Sequence, residues 1–449
     1  MSSVLCLDFG TSSIRAVIRD EQANRLVLPI GQVTPRQNID GASIPSAFCI
    51  DADLETIRFG QHAQDAILGS QKLAFAITSP KQWLTEPKLL NQKVHPDLEI
   101  TRRDVLTGLM GYALFAASET ELWQIPDVPS DADIRVAHPV WPNTIKDDAD
   151  RALGQIAWMA VNMAAEGDWG VTTAEVLCSW TTPDDTTDIR PVLNITVDTI
   201  EPIAAAVELL PNAGNERRIC MVVDVGAGTT DIGIFQHLSP DHQSRKAERL
   251  IPAGPATSVF KAGDEIDRIL LNLMRNSEPK IFSANQARIK SEIRFQKESL
   301  FKKGRTQIAG IDLSIDLLEQ SAETKAMAAS IRDGVEKCLN DAHSKLNAFT
   351  STAAGLSQEI IVVMAGGGAD IQFLRKAVGR PLALNGSQFT FKFVKPISPK
   401  LNMHGAGYER LAVGLGGAQE GYENVVHEHT QLVSFASLGA PKQTITSWR

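Results

Sequence analysis

The chain has 449 residues, 43% apolar and 22% charged, with a formal net charge of −9, enough for two or more domains with large cores. That acidic balance gives no electrostatic reason to bind nucleic acid, and the Lys302–Lys303 pair is too short to make a basic face. No charged, then apolar, start occurs at Met1 and no apolar run approaches a membrane span, while Cys6, Cys49, Cys178, Cys220 and Cys338 are scattered singly without C-x-x-C spacing, so a cytoplasmic protein with reduced core cysteines and no membrane contact is expected.

In chain order, strands are expected near Val4 to Leu7, Ile14 to Ile18 and Leu26 to Ile30. An irregular insertion from about 34 to 120 then holds Lys81 and a helix near Val105 to Ala117. Strands resume at Ile134 to Trp141 and Val192 to Val197. The plan then repeats, with strands at Cys220 to Asp224 and Asp231 to Phe235 and a mostly helical insertion from about 264 to 318. A helix over Ala322 to Phe349 places Met327, Ile331, Val335, Leu339, Ala342 and Leu346 at steps of three or four, a core stripe. A late strand covers Ile360 to Met364. In the tail, His427 and His429 flank a Glu and read as a solvated turn, with metal binding as the alternative.

Two segments half the chain apart say nearly the same thing: L-D-F-G-T-S-S-I-R-A-V-I from Leu7 and V-D-V-G-A-G-T-T-D-I-G-I-F from Val223. In each, an apolar run ends in Asp, turns through Gly and small hydroxyl residues, and resumes as an alternating strand, the pattern of a tight hairpin. Gly10, Gly226 and Gly228 let backbone N–H groups approach an anion, and Thr11, Ser12, Ser13, Thr229 and Thr230 add hydroxyl donors. Asp8 and Asp224 beside polyphosphate would be repelled unless a cation intervened, which implies Mg²⁺ held largely through its waters. A third segment, E-I-I-V-V-M-A-G-G-G-A-D-I-Q-F-L-R-K-A-V from Glu359, reads as a buried strand, a turn at Gly366, Gly367 and Gly368, and a helix beginning near Asp370. The glycines fit either a backbone lying flat on a nucleoside or a turn packed tightly for steric reasons.

Together these three segments resemble the two phosphate motifs and the adenosine motif of the actin, sugar kinase and heat-shock protein 70 superfamily. I-P-S-A-F from Ile44, F-G-Q-H-A-Q-D-A from Phe59, I-E-P-I-A-A-A-V-E-L-L from Ile200, V-E-K-C-L-N-D-A from Val335 and E-R-L-A-V-G-L-G-G-A from Glu409 are similar to segments of the heat-shock 70 nucleotide-binding domain. The resemblance runs from about residue 3 to 418. It implies an α/β fold of duplicated ribonuclease-H-like (actin-like ATPase) domains, two lobes around a central nucleotide cleft, with halves at 1–206 and 207–420 and a tail at 421–449.

Residue by residue, the resemblance implies Asp8, Asp224 and Asp231 at the metal and its waters. Gly10, Thr11, Ser12, Ser13, Gly226, Ala227, Gly228, Thr229 and Thr230 would lie on the phosphates, and Glu201 would orient the attacking water. S-P-K-Q-W-L from Ser79 makes Lys81 the candidate for the terminal phosphate, a solvated loop lysine being the alternative. Lys290, Glu292 and Arg294 would approach the base, or else form a charged exposed face. Asp370 stands where that family usually has Arg, which removes a stacking contact on adenine. The implied cofactors are ATP/ADP and Mg²⁺, and the implied activity is slow hydrolysis of ATP to ADP and phosphate. The resemblance thus implies a heat-shock-70-like molecular switch or chaperone-like protein whose output would be read by another protein: a client, a co-chaperone or an operon-type partner. After residue 418 about thirty residues remain, too few for the family's peptide-binding domain. Q-L-V-S-F-A-S-L-G-A-P from Gln431 is either a strand pinned back on the body or similar to the start of that domain. The alternatives are an actin-like filament or scaffold protein with nucleotide-controlled assembly, and a non-hydrolysing ATP binder.

Overall fold

The computed structural model describes residues 3–32, 41–69, 72–120, 133–165, 167, 170–181, 194–211, 218–238, 249–352, 359–384, 387–419, 422 and 425. The first half carries β1 (Val4–Phe9), β2 (Ser13–Arg19), β3 (Arg25–Val27), β4 (Ser43–Pro45), β5 (Phe48–Asp51), β6 (Thr56–Phe59), α1 (Gly60–Leu68), β7 (Leu73–Ile77), α2 (Arg102–Ser118), β8 (Asp133–His138), α3 (Lys146–Ala164), β9 (Val171–Thr173), α4 (Ala174–Thr181), β10 (Asn194–Ile200) and α5 (Glu201–Leu209). The second carries β11 (Arg218–Val225), β12 (Thr230–Leu238), β13 (Arg249–Pro252), β14 (Thr257–Val259), α6 (Gly263–Ser277), α7 (Pro279–Ala284), α8 (Gln286–Lys303), β15 (Arg305–Ile308), β16 (Ile311–Ser314), α9 (Ile315–Gln320), α10 (Ala322–Thr352), β17 (Glu359–Ala365), α11 (Gln372–Val378), β18 (Leu382–Leu384), β19 (Ser387–Phe393) and α12 (Tyr408–Gly417).

The duplication repeats all six strands of the first sheet in the second, which has one strand more. One sheet runs β10-β8-β1-β2-β3 with β4 on β2; the other runs β19-β17-β11-β12-β13 with β14 on β12, and β18 lies outside β19. In both, the first strand pairs antiparallel with the second and parallel with the strand that returns after the helices. This is the duplicated ribonuclease-H-like plan of the actin-like ATPases. β1 is buried along its full length and β11 at all but its first residue, as expected of strands with both faces covered. One core lies on the outer face of each sheet. A third core, built on α5 and α12, fills the space between the sheets.

Small residues make that third core possible. A Cβ on Gly416 would stand 1.8 Å from the Ala204 carbonyl oxygen, and one on Gly417 would stand 2.5 Å from Cys6 Sγ, so α12 rests backbone to backbone on α5 and directly on the Cys6 side chain of β1. Above the two sheets sit the outer lobes. The first contains the small sheet β7-β5-β6-β9 and α1; the second contains α6 to α9 and the β15–β16 hairpin.

Element limits differ from the sequence reading for local reasons. β3 stops at Val27 because Pro29 has no N–H to continue a ladder, and Ile30–Gln32 turns as a 3-10 helix. β8 stops at His138, just before Pro139, rather than at Trp141. Ile371 is extended (φ −72°, ψ 113°), so α11 begins at Gln372 instead of Asp370. The six-residue stripe on α10 is buried throughout. None of the five cysteines is in a disulfide. Among the described residues no helix is long and apolar enough to cross a membrane. His427, His429 and the Gln431–Pro441 segment lie outside the described residues, but Tyr422 and Val425 are buried in the core between the sheets.

Candidate functional site

The two hairpins meet at the floor between the halves. In the first, Phe9 pairs with Ile14 and Asp8 with Arg15; in the second, Val225 pairs with Thr230 and Asp224 with Asp231. Each turn closes on its glycine: a Cβ on Gly10 would lie 2.4 Å from the Ser13 carbonyl, and one on Gly226 would lie 3.2 Å from the Thr229 carbonyl. The tips touch, since a Cβ on Gly228 would fall 3.1 Å from Thr11 Oγ1. Neighbouring backbone fixes each tip. Ser46 N–H donates to the Ser12 carbonyl, while the first N–H groups of α6, from Gly263 and Asp264, donate to the Gly226 and Ala227 carbonyls.

Asp8, Asp224, Asp231 and Glu201 are all buried here. Desolvation is the main cause that pushes the three aspartates up, Asp8 to about 6 and Asp231 to about 7, and Asp224 well above the usual range. The Arg15 guanidinium, 3.7 Å from Asp8, opposes the rise at that residue. Around Asp224, the charges of Glu201, Asp231 and Asp8 all add to it. Asp231 is held most firmly. It accepts hydrogen bonds from Thr229 Oγ1 (2.7 Å), Ser258 Oγ and the Val140 N–H (3.4 Å), the last crossing from the first half to the second.

Lys81 sits in a 3-10 turn, Pro80–Thr85, anchored by buried Leu84 and by Arg102 over the Trp83 ring. Its Nζ donates to Glu201 Oε1 at 2.6 Å, with the lysine side chain 4% exposed. Glu201 opens α5, with Pro202 behind it in the first helical turn, a position proline tolerates. Beside them His138 is buried and stacks on Trp141 at 5.7 Å. Its Nδ1 lies 2.7 Å from the Pro139 carbonyl, which only accepts, so Nδ1 holds the proton. Burial keeps this imidazole below its ordinary value, hence neutral.

The mouth of the cleft is closed by contacts between the lobes. Asp264 accepts from Ser79 Oγ (3.2 Å) and Gln82 Nε2 (2.7 Å) of the first half. Arg294 on α8 bonds to Asp264 (3.3 Å), Ser79 Oγ (3.3 Å) and the Thr78 carbonyl (3.4 Å). One turn further along α8, Lys297 donates to the Gly263 carbonyl (2.8 Å) and pairs with Asp267. Glu298 meets Arg410 of α12 at 3.3 Å. Of the three α8 residues singled out in the sequence, the structure brings only Arg294 to the lobe contact. Lys290 is exposed, and Glu292 pairs with Arg288. Lys297 and Glu298, three and four positions after Arg294, share its helix face, a spacing that could have pointed to them in the sequence.

The triple-glycine turn lies against the second hairpin. Gly366 has φ +77°, and a Cβ there would be 2.3 Å from Asp224 Oδ1; a Cβ on Gly368 would be 2.4 Å from Val225 Cγ1. Those two are glycine because the hairpin leaves no room. Gly367 meets nothing within 4 Å and is the one that faces open space. Asp370 is exposed, 3.7 Å from Arg375.

The donor set suits a hard divalent cation, being all oxygen, desolvated and acidic, with Lys81 and Arg15 as cations beside it. Among the described residues no three carboxylate, His or Cys side chains converge as direct metal ligands. Residues 195–386 match the family described as MreB/Mbl protein, a member of the actin-like ATPase superfamily. The matched span is under half of the chain and covers the second hairpin, Glu201 and the triple-glycine turn. The narrower resemblance to heat-shock protein 70 is not what this match repeats. No curated protein matches the chain.

Proposed function

We propose that this protein is an actin-like ATPase whose nucleotide state controls its assembly with further copies of itself. The observation that carries the ATPase is the meeting of two Asp–Gly hairpins beside a buried Lys81–Glu201 pair; the family match supports assembly as the output. ATP would lie with its phosphates against the two hairpin turns, where backbone N–H groups and the hydroxyls of Thr11, Ser12 and Ser13 can donate to them; the Thr229 and Thr230 hydroxyls, also expected on the phosphates, already give their protons to Asp231 and to the Lys261 carbonyl. Mg²⁺, when bound, neutralises phosphate charge and polarises the terminal phosphoryl group. Asp8, Asp224 and Asp231 are the residues that would hold it. Lys81 turns from Glu201 toward the terminal phosphate, freeing the Glu201 carboxylate to align a water in line with it. The buried ion pair is thus better read as poised reactants than as a source of stability, since removing two charges from water costs about as much as their attraction returns.

The second reading is a monomeric switch of the heat-shock type acting through a partner protein, favoured by the pairing of Lys81 with a Glu that opens the E-P-I-A-A-A helix. Sedimentation with ATP, with ADP and without nucleotide, run beside phosphate release, separates the readings. Pelleting that depends on ATP supports assembly. Phosphate release without any change in sedimentation sinks it and leaves the switch. No release above that of Glu201→Ala with Asp224→Ala sinks the ATPase itself.

A further inference from the structure

Strand β10 contains a bulge. Along β8, Arg135 pairs with Thr196 but Ala137 pairs with Thr199, so one extra residue is inserted on β10 just before Glu201. A bulge interrupts the ladder and leaves backbone groups without strand partners. Here the orphans are taken up by one distant side chain: Tyr422 Oη accepts from the Ile200 N–H at 2.7 Å and donates to the Asp198 carbonyl at 3.2 Å. The ring is 1% exposed, with the Arg135 guanidinium 5.7 Å from its centre, and Arg135 also donates to the Gly417 carbonyl at 2.8 Å. Burial pushes the phenol well above its ordinary value, so the hydroxyl keeps the proton it needs for the Asp198 bond.

We infer that Tyr422 is a positioning residue for Glu201, its hydroxyl clamping the bulge from which that carboxylate is presented. This rests on the proposed role of Glu201. The clamp acts on the residue immediately before the first residue of α5, so it sets the direction in which the Glu201 side chain leaves the sheet. Packing is supplied by the ring and aim by the oxygen, and Tyr422→Phe separates the two.

Single-turnover phosphate release from ATP and Mg²⁺ is compared for the full-length wild type, Glu201→Gln, Tyr422→Phe, the double variant, and a chain with 4-aminophenylalanine at 422. Tyr422→Phe is expected to slow release about tenfold, the scale of a small misplacement of a reacting group, with the apparent affinity for ATP within about twofold. It should add nothing to Glu201→Gln, and the amino analogue, which can still donate and accept, should restore the rate. Amide exchange at Ile200 should quicken in Tyr422→Phe. Release at the wild-type rate in Tyr422→Phe, with Glu201→Gln slow, overturns the inference and leaves the ATPase standing. A loss that multiplies with Glu201→Gln, or that falls on affinity instead of rate, also overturns it. Wild type no faster than Glu201→Gln removes the role of Glu201 and the inference with it.

Discussion

Laid over one another, the two hairpins pair residue for residue, Gly10 with Gly226, Ser13 with Thr229 and Arg15 with Asp231, in the same ladder positions. Even their third strands correspond, Arg15 facing Ser43 and Asp231 facing Ser258. The backbone is common to both, but charge is not. The first hairpin sets a cation opposite its aspartate and so neutralises itself. The second sets another acid there and relies on three hydrogen bonds to Asp231. A turn geometry has been kept twice while the electrostatic work is divided, with the acidic side assigned to the second half.

The most damaging way to break this comparison is to make the first hairpin like the second. Arg15→Asp is expected to destabilise folding by about 3–5 kcal/mol, the scale for losing one partner of a buried pair, measured by urea unfolding. Asp231→Asn in the same assay should be neutral or stabilising above pH 7. Next in size is the glycine pair. Gly10→Ala drives a methyl into a backbone oxygen and should cost about 1–3 kcal/mol, whereas Gly226→Ala has more room and should cost under about 1 kcal/mol. Equal costs would mean that the turns differ less than their contacts imply.

Smaller is the pH effect, measured in chelator without nucleotide. The aspartates have folded values above the ordinary 3.8, so the folded chain binds protons more tightly than the unfolded chain. The resulting stability is complete below about pH 4 and is lost as pH rises, through about 6 for Asp8 and about 7 for Asp231. The melting temperature should therefore fall across this range from these groups, and Asp231→Asn should flatten the upper part of the slope. Adding Mg²⁺ and ATP should flatten all of it. Smallest is the lobe contact, which ties only the second hairpin to the mouth. Asp264→Asn or Arg294→Ala should speed release of a fluorescent nucleotide several-fold, since a part-exposed charged bond is worth about 1 kcal/mol.

The hairpins and the duplicated sheets were legible in the sequence because their signals are local: an Asp, a glycine turn and alternating apolar strands within about a dozen residues. The lobe contact was less so. Asp264 was met only as the start of an insertion, because its role depends on Ser79 and Gln82 arriving from the other half. Arg15 was hidden in an alternating strand, and only cross-strand register puts it against Asp8. Tyr422 gave no signal at all, a single aromatic in a polar stretch whose importance arises from a bulge more than two hundred residues earlier.

The contact between Gly416 and Ala204 has a mechanical corollary. Where backbone rests directly on backbone, there is no side-chain layer to shear, and translation of one half along the other would drive Cα atoms into carbonyl oxygens. Rotation about that contact would meet less resistance than sliding, and a swing of a few degrees there would be magnified with distance, so that its largest displacement would fall at remote contacts such as that of Asp264 with Gln82.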